Sequence, residues 1–195
     1  MSKRRRSLWI IGVVTVLMAG TGASVTSEPS VPTSLEAIRA AKQRLDLAKG
    51  NRAKAEAWHA LQQAADELVH ALPKELSNEQ CYDPSKPFDL SDRCPGYPAV
   101  QQAHAAGMWI TYCGSGESWL PTNRGWEEYL KLWPDGPDAD RAWWNVNIAA
   151  PCCDECSFES VEAERRLYRN FIDRFPRSPL REEAERHLRS VGAPR

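Results

Sequence analysis

Residues 126–146, WEEYLKLWPDGPDADRAWWNV, and residues 168–188, YRNFIDRFPRSPLREEAERHL, are one pattern written twice, 42 positions apart. Tyr129, Leu130, Trp133, Pro134, Pro137 and Ala142 recur as Phe171, Ile172, Phe175, Pro176, Pro179 and Ala184, while Trp126 pairs with Tyr168 and Val146 with Leu188. Each unit opens with apolar residues at i, i+3, i+4 and i+7, one face of an amphipathic helix. A proline then stops that helix, because it lacks the amide hydrogen a helix interior needs. Three positions on, Pro137 or Pro179 sits where the first turn of a new helix tolerates it, after Gly136 or after Ser178, a good N-cap residue. The spacing therefore predicts a helix, a tight turn and a second helix in each unit.

The same reading extends toward the N-terminus. Thr33-Ser-Leu-Glu36 has the spacing of a capping box, and Leu35, Ile38, Ala41, Leu45 and Ala48 follow at helical intervals. Gly50-Asn51 breaks the run, after which Ala57, Leu61, Ala64, Ala65, Leu68 and Leu72 give a second apolar face that ends at Pro73. Residues 34–72 thus read as a helical hairpin. Residues 73–98 carry Pro73, Pro84, Pro87, Pro95 and Pro98 with little periodicity and read as a loop that needs a tether. Residues 99–112 return to helical composition, and Gly114-Ser-Gly116 ends it; residues 99–191 then hold the repeats, with a cysteine-rich insertion at 148–157. No strand pattern is evident.

Tyr168-x-x-Phe171-x-x-x-Phe175-Pro176-x-Ser178-Pro179, followed by Ala184 and Leu188, resembles the tetratricopeptide-type repeat of bacterial cell-envelope proteins. It is similar in flavour to the Tol-Pal system coordinator and to the lipoprotein of the outer-membrane β-barrel assembly machinery. The resemblance covers residues 125–147 and 161–191, and residues 34–72 only as a generic hairpin. The offset of 42 exceeds the usual repeat of about 34 residues. The fold class it implies is all-α, stacked antiparallel helical hairpins in a tetratricopeptide-like α-solenoid, and the even cysteine count adds disulfide bracing. Such stacks bind peptides or protein segments along a continuous surface rather than catalyse. The resemblance therefore implies a non-enzymatic scaffold or adaptor with a protein or peptide partner in the envelope.

The first 23 residues give the compartment. Lys3-Arg4-Arg5-Arg6 precedes an apolar run from Leu8 to Ala19, and Thr21 and Ala23 are placed like a small-residue cleavage site, the pattern of a secretory signal peptide. The run is short of the roughly 20 residues that span a bilayer, so an uncleaved anchor, the one membrane contact this reading allows, is the lesser alternative. Residues 24–33, polar with two prolines, read as a linker. Removal of residues 1–23 leaves 21 basic against 26 acidic residues, a formal charge of −5, which argues against nucleic acid. The mature chain is expected to be periplasmic or secreted.

All six cysteines, Cys81, Cys94, Cys113, Cys152, Cys153 and Cys156, lie beyond the signal segment, and an even count in an exported chain favours disulfides. Cys81 with Cys94 would close the proline-rich loop, and Cys113 with a member of the 152–156 cluster would pin the two hairpins. Adjacent Cys152 and Cys153 are poorly placed to bond each other. The sharper alternatives for Cys153-x-x-Cys156 are a metal site or a redox dithiol, but its spacers are acidic, and a redox thiolate wants cations or a helix N-terminus. No metal and no cofactor is expected.

Five tryptophans fall between Trp119 and Trp144 among Glu117, Glu127, Glu128, Asp135, Asp138 and Asp140. Trp126, Trp133 and Trp143 lie on the apolar faces and read as core. Trp119 and Trp144 are the two that periodicity leaves out, so they are the candidates for a ligand surface. The competing function is thus an envelope glycan- or peptidoglycan-binding protein, or a hydrolase, built on segment 117–144 with Glu117, Glu127 or Glu128 as carboxylates. Hydrolysis would need two of them about 5 to 9 Å apart across a cleft. His59, Asp66 and His70 share a helical stripe, but the two histidines are about 16 Å apart along the axis, too far for one ion, so the stripe reads as a solvated face. His104 and His187 have no nucleophile or carboxylate at a telling spacing. Residues 159–189 hold eight arginines and seven acids, ordinary solvated surface for helices, with a basic docking stripe as the alternative.

Overall fold

The computed structural model of the chain describes residues 30–73, 94–113, 118–148 and 160–191. The signal segment, most of the proline-rich loop with Cys81, Glu117, and the insertion with Cys152, Cys153 and Cys156 lie outside the described residues. Seven helices and one two-stranded sheet are present among those described. In chain order they are α1 (Val31–Leu47), α2 (Asn51–Ala71), α3 (Tyr97–Ala105), β1 (Ile110–Cys113), β2 (Ser118–Pro121), α4 (Arg124–Leu132), α5 (Ala139–Asn147), α6 (Val161–Arg174) and α7 (Arg181–Ser190).

The first helix starts earlier than the capping box at Thr33 predicts. Ser30, in extended conformation, is the N-cap, and its Oγ accepts from the Thr33 amide at 3.4 Å. Pro32 occupies the first turn, where its missing N–H costs nothing. A serine that can fold its hydroxyl back onto the helix outcompetes a threonine three residues later. Ser34, Leu35, Ile38 and Ala41 form the buried face of α1. It packs along α2, which offers Leu61, Ala64, Ala65 and Leu68 in return. Gly50, at φ +82°, makes the break between them.

The expected helix over 99–112 stops at Ala105. Gly107 takes φ +89°, its amide bonds to the His104 carbonyl at 2.8 Å, and the Met108 amide bonds to the Ala103 carbonyl at 3.0 Å, a Schellman closure that only an αL residue makes cheaply. Beyond it, Ile110-Thr-Tyr-Cys113, with Ile110 and Cys113 buried, Tyr112 half-buried and Thr111 exposed, pairs antiparallel with β2, Ile110 opposite Pro121 and Tyr112 opposite Trp119. β-branched and aromatic residues in a half-buried run favour the pleated surface. Among the described residues, otherwise helical in their regular elements, there is therefore a small hairpin, which lies against α2.

The repeat is seen directly in the backbone. The Trp133 amide bonds to the Tyr129 carbonyl, Gly136 to Trp133, Ala139 to Gly136 and Ala142 to Asp138; 42 residues on, Phe175 bonds to Phe171, Ser178 to Phe175, Arg181 to Ser178 and Ala184 to Leu180. All eight bonds measure 2.8 to 3.2 Å. The prolines sit one residue before the N-caps Asp138 and Leu180, in the turn itself rather than in the first helical turn. α4 pairs with α5 and α6 with α7 in the same way. Helix α2 packs on α4, and α5 meets α6, so successive hairpins are neighbours in space as well as in sequence.

Candidate functional site

The tryptophans of segment 117–144 are buried or half-buried against neighbouring elements. Trp119 is buried at 5% exposure; its indole N–H donates to the Pro73 carbonyl at 3.0 Å and its ring meets Tyr112 edge-on at 5.3 Å. Trp144 lies half-buried against Phe171 at 5.1 Å, Tyr168 at 6.3 Å and His187 at 6.5 Å, joining α5 to the second hairpin. The two residues expected to form a ligand surface thus fill seams between elements. A strand and a helix-to-helix junction bury side chains that one-helix periodicity leaves unassigned. Trp126 is buried and Trp143 packs on Phe171 and Phe175, as their helical spacing predicts. Trp133 is partly exposed, with the Arg52 guanidinium over its ring at 4.8 Å. Among the described residues, Trp109 is the exposed indole, at 53%, leaning on His104 at 4.6 Å.

Of the carboxylates of the competing hydrolase reading, Glu127 and Glu128 are described, and both lie on α4. Glu127 is exposed on α4, and Glu128 reaches Lys131 at 3.7 Å on the same helix. Among the described residues, no three His, Cys, Asp or Glu side chains gather as a metal site. His104 is held by its own loop: Nε2 lies 3.0 Å from the Ile110 carbonyl and 3.1 Å from its amide. His187 stacks flat on Tyr168 at 5.3 Å. Cys94 and Cys113 are both buried.

The stripe of His59, Asp66 and His70 is solvated only at His70. His59 enters the junction between α2 and the first repeat, where its ring meets Trp126 at 5.0 Å and Tyr129 at 5.7 Å, and Nδ1 lies 3.6 Å from the Asp138 carboxylate. Desolvation pulls its pKa below 6.5, and Arg141 adds to this while Asp138 opposes it. Asp66 is half-buried beside Gln62, whose amide donates to it at 3.2 Å. Burial raises its pKa above 3.8 against the lowering effects of that bond, Arg141 and His70. Gln62, itself 1% exposed, also accepts from the Gly125 amide at 3.0 Å. A Cβ at position 125 would lie 2.6 Å from Gln62 Cβ and 3.0 Å from the Trp58 carbonyl, so only glycine lets α4 approach α2 this closely.

One opening on the repeats lies between their two turns. A groove of about 370 Å³ runs between Asp135, Pro137 and Asp140 of the first unit and Arg174, Phe175 and Arg177 of the second. Sequence reasoning passed over it, since arginines mixed among acids read as ordinary surface. The signal was present: position 135 of the first unit is position 177 of the second, and it carries Asp in one and Arg in the other. A second groove of about 410 Å³ lies between α1 and α3, lined by Arg39, Lys42, Asp46 and Gln102. There the cation and the acid are already engaged, Lys42 with Asp46 and Arg39 with Gln102.

No family model, curated protein or solved structure matches this chain.

Proposed function

We propose that this chain is an exported, non-catalytic interaction module of the cell envelope, a short tetratricopeptide-like solenoid braced by disulfides that binds a segment of another protein. The observation that carries this reading is the turn repeated bond for bond at an offset of 42, with successive hairpins packed as neighbours. Stacked hairpins of this kind cannot bury their faces alone and present an extended surface when joined. The basic and apolar opening of the chain supports export to the periplasm or beyond. Support for disulfide bracing comes from the even number of cysteines beyond the signal segment and from Cys94 and Cys113, which are buried and each engaged by a partner. Pairing across the described and undescribed parts of the chain would fasten the proline-rich loop and the insertion to the helices.

Three measurements test the proposal. Fusion of alkaline phosphatase after residue 30 should give active enzyme in a Gram-negative host, and thiol titration of the denatured, unreduced mature protein should find no reactive cysteine. Photo-crosslinking in the envelope from Trp109, Arg177 and Arg166, which is exposed on α6, should give a protein adduct of one defined mass. Retention on purified peptidoglycan with no protein adduct would favour the glycan-binding reading instead.

A further inference from the structure

The groove between the two repeat turns has opposite charges on its two walls and an apolar floor. Asp135 and Asp140 stand on one side, Arg174 and Arg177 on the other, with Pro137 and Phe175 between them. Among the described residues none of these four charges forms an ion pair, although acids and guanidiniums line the same opening. Arg174 lies over the Phe175 ring at 5.3 Å, and Asp140 accepts only from the neighbouring Arg141 amide at 2.8 Å. The walls are polarised by the repeat itself: Asp135 and Arg177 occupy one repeat position in two successive turns, so stacking places unlike charges side by side.

We infer that this groove binds an extended protein segment bearing a basic and an acidic side chain two or three positions apart, the base facing Asp135 and Asp140 and the acid facing Arg174 and Arg177. This rests on the interaction-module reading above and names its contact site. Packed helices stand about 8–10 Å apart. An extended chain advances about 3.3 Å per residue, so two or three residues span that distance. Arginine forks suit a carboxylate, and proline and phenylalanine present a dry floor for the segment's backbone and apolar groups. A segment of one charge sign would satisfy one wall and be repelled by the other. The preference for mixed charge therefore follows from the groove and not from the net charge of the chain.

The test uses the mature chain and a displayed library of random 12-residue peptides. Peptides selected on the parent protein should carry Lys or Arg two or three positions from Asp or Glu. Their affinity, read by fluorescence anisotropy, should fall at least tenfold for Asp135→Lys and for Arg177→Glu. The double variant Asp135→Arg with Arg177→Asp should select peptides with the order of charges reversed. Melting curves of these exposed variants should match the parent. Selected peptides that bind all variants equally would overturn the groove assignment and leave the module reading standing. If no peptide binds the parent, and no protein adduct forms by crosslinking at any position, both readings fall together.

Discussion

The phenol oxygen of Tyr129 fills the space that a side chain at Gly136 would need, and it accepts a hydrogen bond from the Asp138 amide at 3.2 Å. In the second unit the partners are exchanged. Phe171 has no hydroxyl, position 178 is serine, and Ser178 Oγ accepts at 3.1 Å from the Leu180 amide, the equivalent of Asp138. One helix-start donor is thus satisfied in both turns by an oxygen from different residues, Tyr with Gly in one and Phe with Ser in the other.

Gly136→Ser should therefore destabilise the parent by about 1–3 kcal/mol, the usual cost of overpacking. Tyr129→Phe together with Gly136→Ser should recover most of that loss, with a coupling of about 1–2 kcal/mol between contacting sites. Urea unfolding of the singles and the double forms the cycle. Additive losses would mean that the two turns are not built alike.

Trp126 and Phe171 are 2% and 0% exposed, so truncating either to Ala should cost about 3–5 kcal/mol. Trp133→Ala should cost less, because that ring is partly exposed. Trp109→Ala should stay within about 0.5 kcal/mol, as surface changes do. Thermal melts rank the four variants, and a Trp109 loss as large as that of Trp126 would contradict the packing described.

Helix α4 rests on α2 at Gly125, so Gly125→Ala should destabilise by about 1–3 kcal/mol. Shortening the neighbour to Gln62→Ala should not rescue it, because the Gln62 Cβ is itself the closest obstacle and the Gly125 amide would lose its acceptor. Denaturant unfolding of the double variant checks this; recovery of parent stability would refute the contact.

Much of this was legible in the sequence, and the failures have common physical causes. The offset of 42, the Gly50 break and the buried faces of α1 and α2 rest on periodicity, which burial enforces residue by residue. Ile110-Thr-Tyr was read into a helix because Gly107, the residue that ends that helix, stands before it and was not used. Trp119 is buried and Trp144 half-buried by contacts from elements 46 and 27 residues away, Pro73 and Phe171. Periodicity within one segment carries no information about such contacts. The groove charges were visible as residue types, but their opposition across two turns appears only when the units are stacked.

His59 titrates with a lowered pKa, so between that value and 6.5 the unfolded chain binds more protons than the folded one. Stability from this group is present above pH 6.5 and is lost as pH falls through the window. Asp66, with a raised pKa, works the other way: its contribution is full below pH 3.8 and declines as pH rises through its folded pKa. His59→Phe should flatten the loss of stability on acidification from pH 7 toward 5. In the parent, the His59 ring signal should titrate below 6.5 by NMR; a midpoint at or above 6.5 would show that burial does not govern it.

The claim on which everything else rests is that residues 126–146 and 168–188 are two copies of one structural unit. Native-state amide exchange at single residues tests it most directly. The amides of Trp133, Gly136, Ala139 and Ala142 should be protected in the same rank order as those of Phe175, Ser178, Arg181 and Ala184, because each set makes the same four bonds. Protection of one set with free exchange of the other, or two unrelated orders, would contradict the repeat and the interaction module built upon it.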